Sequence, residues 1–190
     1  MNPITHFLVG WTVANTDNLK TKDRVIVAFS GVIPDIDGLG IIAEKLTLNW
    51  EHPLLWWTKY HHLLCHNIGF GVIIFFIALL FSKRMFIAIL SFISFHLHLS
   101  GDIIGSRGPD GEIWTIPYFL PFSDKFHISW QGQWELNAWQ NIFITMALLF
   151  VMFFLAWKKG FSPLEILSKS ADQVFVETLR NRFGRPDSCM

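Results

Sequence analysis

The chain has 190 residues, of which 52% are hydrophobic and only 16% charged, with 15 basic side chains balancing 15 acidic ones. Ordinary soluble domains carry about 25% charged residues, so this composition points away from a soluble domain. A formal net charge of zero, with no Lys/Arg stripe, excludes a nucleic-acid binder.

In chain order, the N-terminal MNPITHFLVGW has no basic leader region and no small-residue cleavage site, so no removable signal peptide is expected. Residues 4–14 suit a short helix. The polar stretch NTDNLKTKD, residues 15–23, suits a turn, and Arg24 to Ile33 a second helix stopped by Pro34. Residues 38–60 read as an outer loop or amphipathic segment, with Trp50, Trp56 and Trp57 fit for an interfacial belt.

Three apolar runs follow: residues 68–81, 85–101 and 141–157. A bilayer core about 30 Å thick needs about 20 helical residues. The third run fits, the second is at the lower limit, and the first fits only if its helix begins near Tyr60 or His61. Lys83 and Arg84 separate the first two runs, and Lys158 and Lys159 close the third. Short basic links stay cytoplasmic, and both basic clusters agree on one topology, with residues 102–140 outside. Residues 162–182 carry an N-cap signature in Ser162, Pro163 and Glu165, with an apolar stripe behind it. The expected architecture is an all-α integral membrane helical bundle. It has about three long transmembrane helices, two shorter N-terminal helices and a C-terminal amphipathic helix. Residues 1–160 form the membrane-embedded domain that carries the candidate metal site, and residues 161–190 a cytoplasmic helix and tail.

That topology carries a chemical consequence. His6, then Asp35 and Asp37 in PDID, then His61, His62 and His66, then His96, His98 and Asp102 all fall at the outer ends of the expected helices. His98 and Asp102 are spaced i,i+4 and share a helix face; His62 and His66 have the same spacing. His61 and His66, five apart, share a metal only if His61 precedes the helix. Imidazole with carboxylate favours zinc, with manganese or iron as alternatives. Each group also has a plainer reading: Pro-Asp is common turn chemistry, and Cys65 is a soft ligand or a small packing residue. Arg107 is a clamp for a phosphate or carboxylate or a snorkelling interfacial side chain. Glu135 is a base or a helix-start acid. His52 and His127 read as surface residues, and Cys189 as a free tail thiol. Two cysteines this far apart do not make a disulfide framework.

Thr5-His6, PDID at 34–37, HHLLCHN at 61–67 and HLHLSGD at 96–102 resemble the motif set of the membrane-bound metal-dependent hydrolases, over roughly residues 1–157. His61 and His66 match the two histidines of that family's HRGxTHS-like run, and His98 and Asp102 its HxxxD. His62, Leu63, Cys65 and Asn67 depart from the run. The ligand order is also similar, more loosely, to zinc-dependent phospholipase C and its single-strand nuclease relatives. The resemblance implies a metal site drawn from His6, Asp35, His61, His66, His98 and Asp102. It further implies hydrolysis of a phosphoester or similar bond in a membrane lipid headgroup or envelope metabolite. Asp37 is then the candidate general base and Arg107 the anion clamp. The competing expectations are a non-catalytic metal-stabilised scaffold or regulatory protein and, ranked last, an ion or proton transporter.

Overall fold

The computed structural model describes residues 1–61, 63–108 and 110–186. His62 and Cys189, both singled out in the sequence, lie outside the described residues. Eight α-helices follow one another: α1 (Pro3–Ala14), α2 (Thr21–Ser30), α3 (Gly40–Thr47), α4 (Trp56–Tyr60), α5 (Ile68–Ser82), α6 (Met85–Gly105), α7 (Trp139–Lys159) and α8 (Lys169–Phe183). Two 3-10 helices, Ile33–Leu39 and Pro163–Ile166, precede α3 and α8. Among the described residues there are only isolated bridges and no strands. This all-helical architecture is the membrane bundle expected from the sequence.

The central helix is α6, which packs against α5, α1 and α2, while α7 leans on α1. Two apolar clusters fill the interior. Ala14, Leu19, Val27, Ile87 and Leu90 sit at the end carrying the basic turns. Ile74, Phe95, Leu99 and Ile116 sit toward the other end. Much of the remaining apolar surface faces outward: Leu80 is 73% exposed and Phe150 74%. Contiguous exposed apolar surface on this scale marks an interaction face, and on 21-residue apolar helices such as α6 and α7 that face is lipid.

Several boundaries depart from the sequence reading, each for a physical reason. The second helix ends at Ser30, before Pro34, and Pro34 instead opens the 3-10 helix Ile33–Leu39. A proline in the first turn loses an N–H that would be unbonded anyway. The chain bends by 54° there, which frees the Gly31 carbonyl. The helix of the first apolar run begins at Ile68, not near Tyr60 or His61, with Asn67 capping it through Phe70 N. Its 15 residues span only about 22 Å, short of a full crossing. His61 and residues 63–67 are not helical, and the two described histidines, His61 and His66, both bind the Asp37 carboxylate. The second run extends to Gly105, so Asp102 is inside α6. The segment 162–182 is two pieces rather than one helix. Asp172 folds back to accept from the Ser162 amide and hydroxyl, each at 2.6 Å, and Ser168 caps α8 separately.

Candidate metal centre

Three polypeptide segments converge at one end of the bundle. Asp35 comes from the first turn of the 3-10 helix after α2, His66 from the non-helical link before α5, and His98 and Asp102 from successive turns of α6. One donor atom from each of these four residues lies within 4.8 Å of the other three. His66 Nε2 is 3.1 Å from His98 Nε2. Asp102 Oδ2 stands 3.1 Å from His98 Nε2 and 3.4 Å from His66 Nε2. Asp35 Oδ1 is 3.6 Å from His98 Nε2. Three of the four residues are buried, and Asp35 is partly exposed.

The imidazoles are oriented from behind. His98 Nδ1 donates to the Gly31 carbonyl at 2.8 Å, a group that can only accept. His66 Nδ1 lies 3.2 Å from Asp37 Oδ2. Both rings therefore turn Nε2 inward, and the two nitrogens face each other at hydrogen-bond distance. Two lone pairs cannot bond each other, so a proton or a cation must lie between them. Burial disfavours a charged His66, but the nearby Asp102 and Asp37 carboxylates outweigh burial and hold this imidazole up at about 9. A tightly held proton is one occupant of the gap.

A divalent cation is another occupant that the same donors could hold. Four ligands 2.0–2.1 Å from a tetrahedral centre are separated by roughly 3.3 Å, close to the 3.1–3.6 Å spacings here. Asp35 Oδ2 and Asp102 Oδ2 are also buried without a hydrogen-bond partner, a costly arrangement for a carboxylate that a cation relieves. Two imidazoles and two carboxylates can hold a divalent metal; which metal is a separate matter.

The remaining candidates form an outer layer. His6 Nε2 is 3.1 Å from Asp102 Oδ1, and its ring lies 3.8 Å from that of His98. Asp102 Oδ1 also receives Ser106 Oγ at 2.9 Å and the Met1 amine. Asp37 bridges two histidines, with His61 Nδ1 at 2.9 Å from Oδ1 and the Cys65 amide at 3.3 Å from Oδ2. Such a carboxylate behind a ligand histidine fixes its tautomer and raises its basicity. His61 stacks on Trp57 at 3.7 Å and meets the edge of Trp114 at 5.5 Å.

Several residues singled out in the sequence lie elsewhere. His96 donates to the Phe92 carbonyl and meets the Tyr118 hydroxyl at 2.8 Å, away from the cluster. The Arg107 guanidinium donates to the Gln131 carbonyl at 2.7 Å, and the structure does not bring it to the four donors. Burial, with the Asp37 carboxylate nearby, pushes the Cys65 thiol up to about 11, so it packs as a neutral side chain. His52 and His127 are exposed, as the sequence suggests. The sequence reading missed Gln133 and Asn141. Gln133 Nε2 donates to the Asp102 and Ile103 carbonyls, and Asn141 Nδ2 to the Gly105 carbonyl, so both satisfy the last turn of α6. Both lie in the Trp- and Gln/Asn-rich stretch of residues 130–141, and nothing in the local pattern singles them out.

A family model described as YdjM inner membrane protein matches residues 1–168. No curated protein and no solved structure matches the chain.

Proposed function

The chain belongs to the YdjM inner membrane protein family, and from that premise we propose that it is a membrane-bound, metal-dependent hydrolase acting on a phosphoester or similar bond of a lipid or envelope metabolite. One observation carries the reading: two inward Nε2 atoms 3.1 Å apart beside two buried carboxylate oxygens that lack partners. Zinc suits this N2O2 set best, with manganese or iron(II) as alternatives. When bound, such an ion supplies Lewis-acid polarisation and a water acidic enough to ionise near neutral pH.

The chain's own residues do the rest. Asp35, His66, His98 and Asp102 hold the ion. Asp37 orients His66 on one oxygen and His61 on the other. His61 is the more exposed member of its pair with Asp37, its side chain 11% exposed against 1%. It is therefore better placed than Asp37 to exchange a proton with a reacting group, with Asp37 steadying the imidazolium. The basic turns at the opposite end of the bundle support a non-cytoplasmic position for this site, from which a headgroup would be reachable without extracting its lipid.

Purified protein should contain about one equivalent of divalent metal per chain and hydrolyse a member of a phospholipid panel. His98→Ala and Asp102→Ala should lose both. Metal-free wild-type protein, with hydrolysis unchanged in both variants, would refute the proposal. A second reading, a metal-stabilised scaffold, is favoured by the near-complete burial of His66, His98 and Asp102. It predicts bound metal with no hydrolysis of any panel lipid.

A further inference from the structure

Two clefts reach the candidate centre from different directions. The first, about 680 Å³, runs along α3 and is walled by Ile36, Leu39, Ile42, Leu46, Trp56 and Leu64. Asp37 is the single charged side chain in its lining. The second, about 320 Å³, is lined by Trp57, Thr58, His61 and the segment Ile113–Thr115. It is the more polar of the two, with two threonine hydroxyls and a histidine among two indoles. One hydrogen bond, His61 Nδ1 to Asp37 Oδ1 at 2.9 Å, joins a wall residue of each cleft, and the other Asp37 oxygen holds His66 of the four-donor cluster.

Local structure keeps both clefts open at that junction. α4 lies across the start of α3 at backbone distance, because Gly40 has no side chain: a Cβ there would come 2.9 Å from the Trp57 amide. The Glu44 carboxylate accepts from the Thr58 amide at 3.0 Å and hydroxyl at 2.8 Å, which ties the two helices together further along. The apolar walls are not a core in the making. Leu46 is 76% exposed, Leu39 59% and Ile42 55%, and α3 and α4 pack chiefly on each other. An apolar trough that opens outward and a more polar cleft, with their walls joined by the candidate reactive groups, match one kind of molecule, an amphiphile.

Resting on the hydrolase reading above, we infer that the substrate is a membrane lipid held in one orientation, its hydrocarbon chain along α3 between Ile36 and Leu46, its polar head against Trp57, Thr58 and Trp114, and its scissile bond at Asp37 and His61. α3 with its eight residues gives the trough a wall about 12 Å long, enough for the first stretch of a chain whose remainder continues into the bilayer. The indole faces suit a polar head with apolar edges, such as a glycerol or sugar.

The test maps orientation with two photoreactive phosphatidylglycerols, one with a diazirine in the acyl chain and one with it in the headgroup. Wild-type protein is reconstituted in vesicles of phosphatidylethanolamine and phosphatidylglycerol. Cross-linked peptides are read by mass spectrometry. The chain probe should label α3 saturably, so that unlabelled phosphatidylglycerol competes it away. The headgroup probe should label the Trp57–Thr58 and Ile113–Thr115 segments. Labelling of the outward face of α7, which any annular lipid touches, should not saturate. Leu46→Asp should lower chain labelling of α3 about tenfold relative to α7 and leave bound zinc unchanged. Trp114→Ala should do the same for the headgroup probe. Unsaturable labelling of α3, or headgroup labelling unaffected by Trp114→Ala, overturns the inference. Bound zinc is measured in the same samples, so its absence alongside saturable labelling would instead refute the hydrolase reading.

Discussion

His66 shows how one side chain links geometry to chemistry. Its Nδ1 is held by Asp37 and its Nε2 points at His98, so the proton it retains up to about 9 occupies the place a metal would take. The sign follows from that competition. A raised folded pKa favours the protonated ring, and a ring must lose its proton to ligate. Below about 9 each metal ion displaces a proton, and apparent affinity for zinc should rise about tenfold per pH unit until His66 is neutral. Competition titrations against a chromogenic chelator at a series of pH values would show this slope; a flat profile would mean that His66 does not bind the ion. Residue types and spacings in the sequence named all four donors, but not the division of labour. Asp35 and Asp37 are equivalent in the string PDID. Only the fold turns one toward the centre and the other toward His61 and His66.

At the scale of elements, small residues set how closely the helices that carry the donors approach. A Cβ at Gly10 would come 2.6 Å from the Ala28 carbonyl and 2.8 Å from Ser94 Oγ, so α1, α2 and α6 meet there almost backbone to backbone. Gly10→Val should cost about 1–3 kcal/mol by overpacking. It should also weaken metal binding, because it pushes α1 with His6 away from α6 with Asp102. Detergent-solubilised thermal melts with and without zinc would reveal both effects. Unchanged melting would mean that the three-helix contact is looser than described. The apolar runs and basic turns made most helices legible. The breaks at Gly31–Val32 and 61–67 were not, because they are produced by partners distant in sequence. Gly31 gives its carbonyl to His98, and residues 61–67 are bent by a carboxylate 24 positions away.

Across the whole molecule, charge is sorted to two ends. The metal-donor cluster occupies one. At the other, Arg24 pairs with both Glu165 oxygens at 2.6 Å, lies 3.5 Å over the Phe161 ring, and is as buried as its partner at 6% side-chain exposure. Arg84 meets Asp23 at 2.9 Å beside it. This pair ties the segment leading into α8 to the membrane bundle. Arg24→Ala should destabilise the protein by about 3–5 kcal/mol, because it strands a buried carboxylate. Adding Glu165→Ala should recover much of the loss, as denaturation of the single and double variants would show. Additive losses would mean that the two side chains act independently.

By itself the sequence determined the class of the molecule, the order of its helices, the sorting of histidines and acids to one end, and the residue types of a metal site. Those properties follow from local composition and period: apolar runs, two of them in helices long enough for a bilayer, basic turns between them, and i,i+4 spacing on α6. Only the tertiary structure decided which four side chains meet and which histidines and carboxylate stand behind them. Those depend on distances between residues 24 to 96 positions apart, which no local pattern encodes.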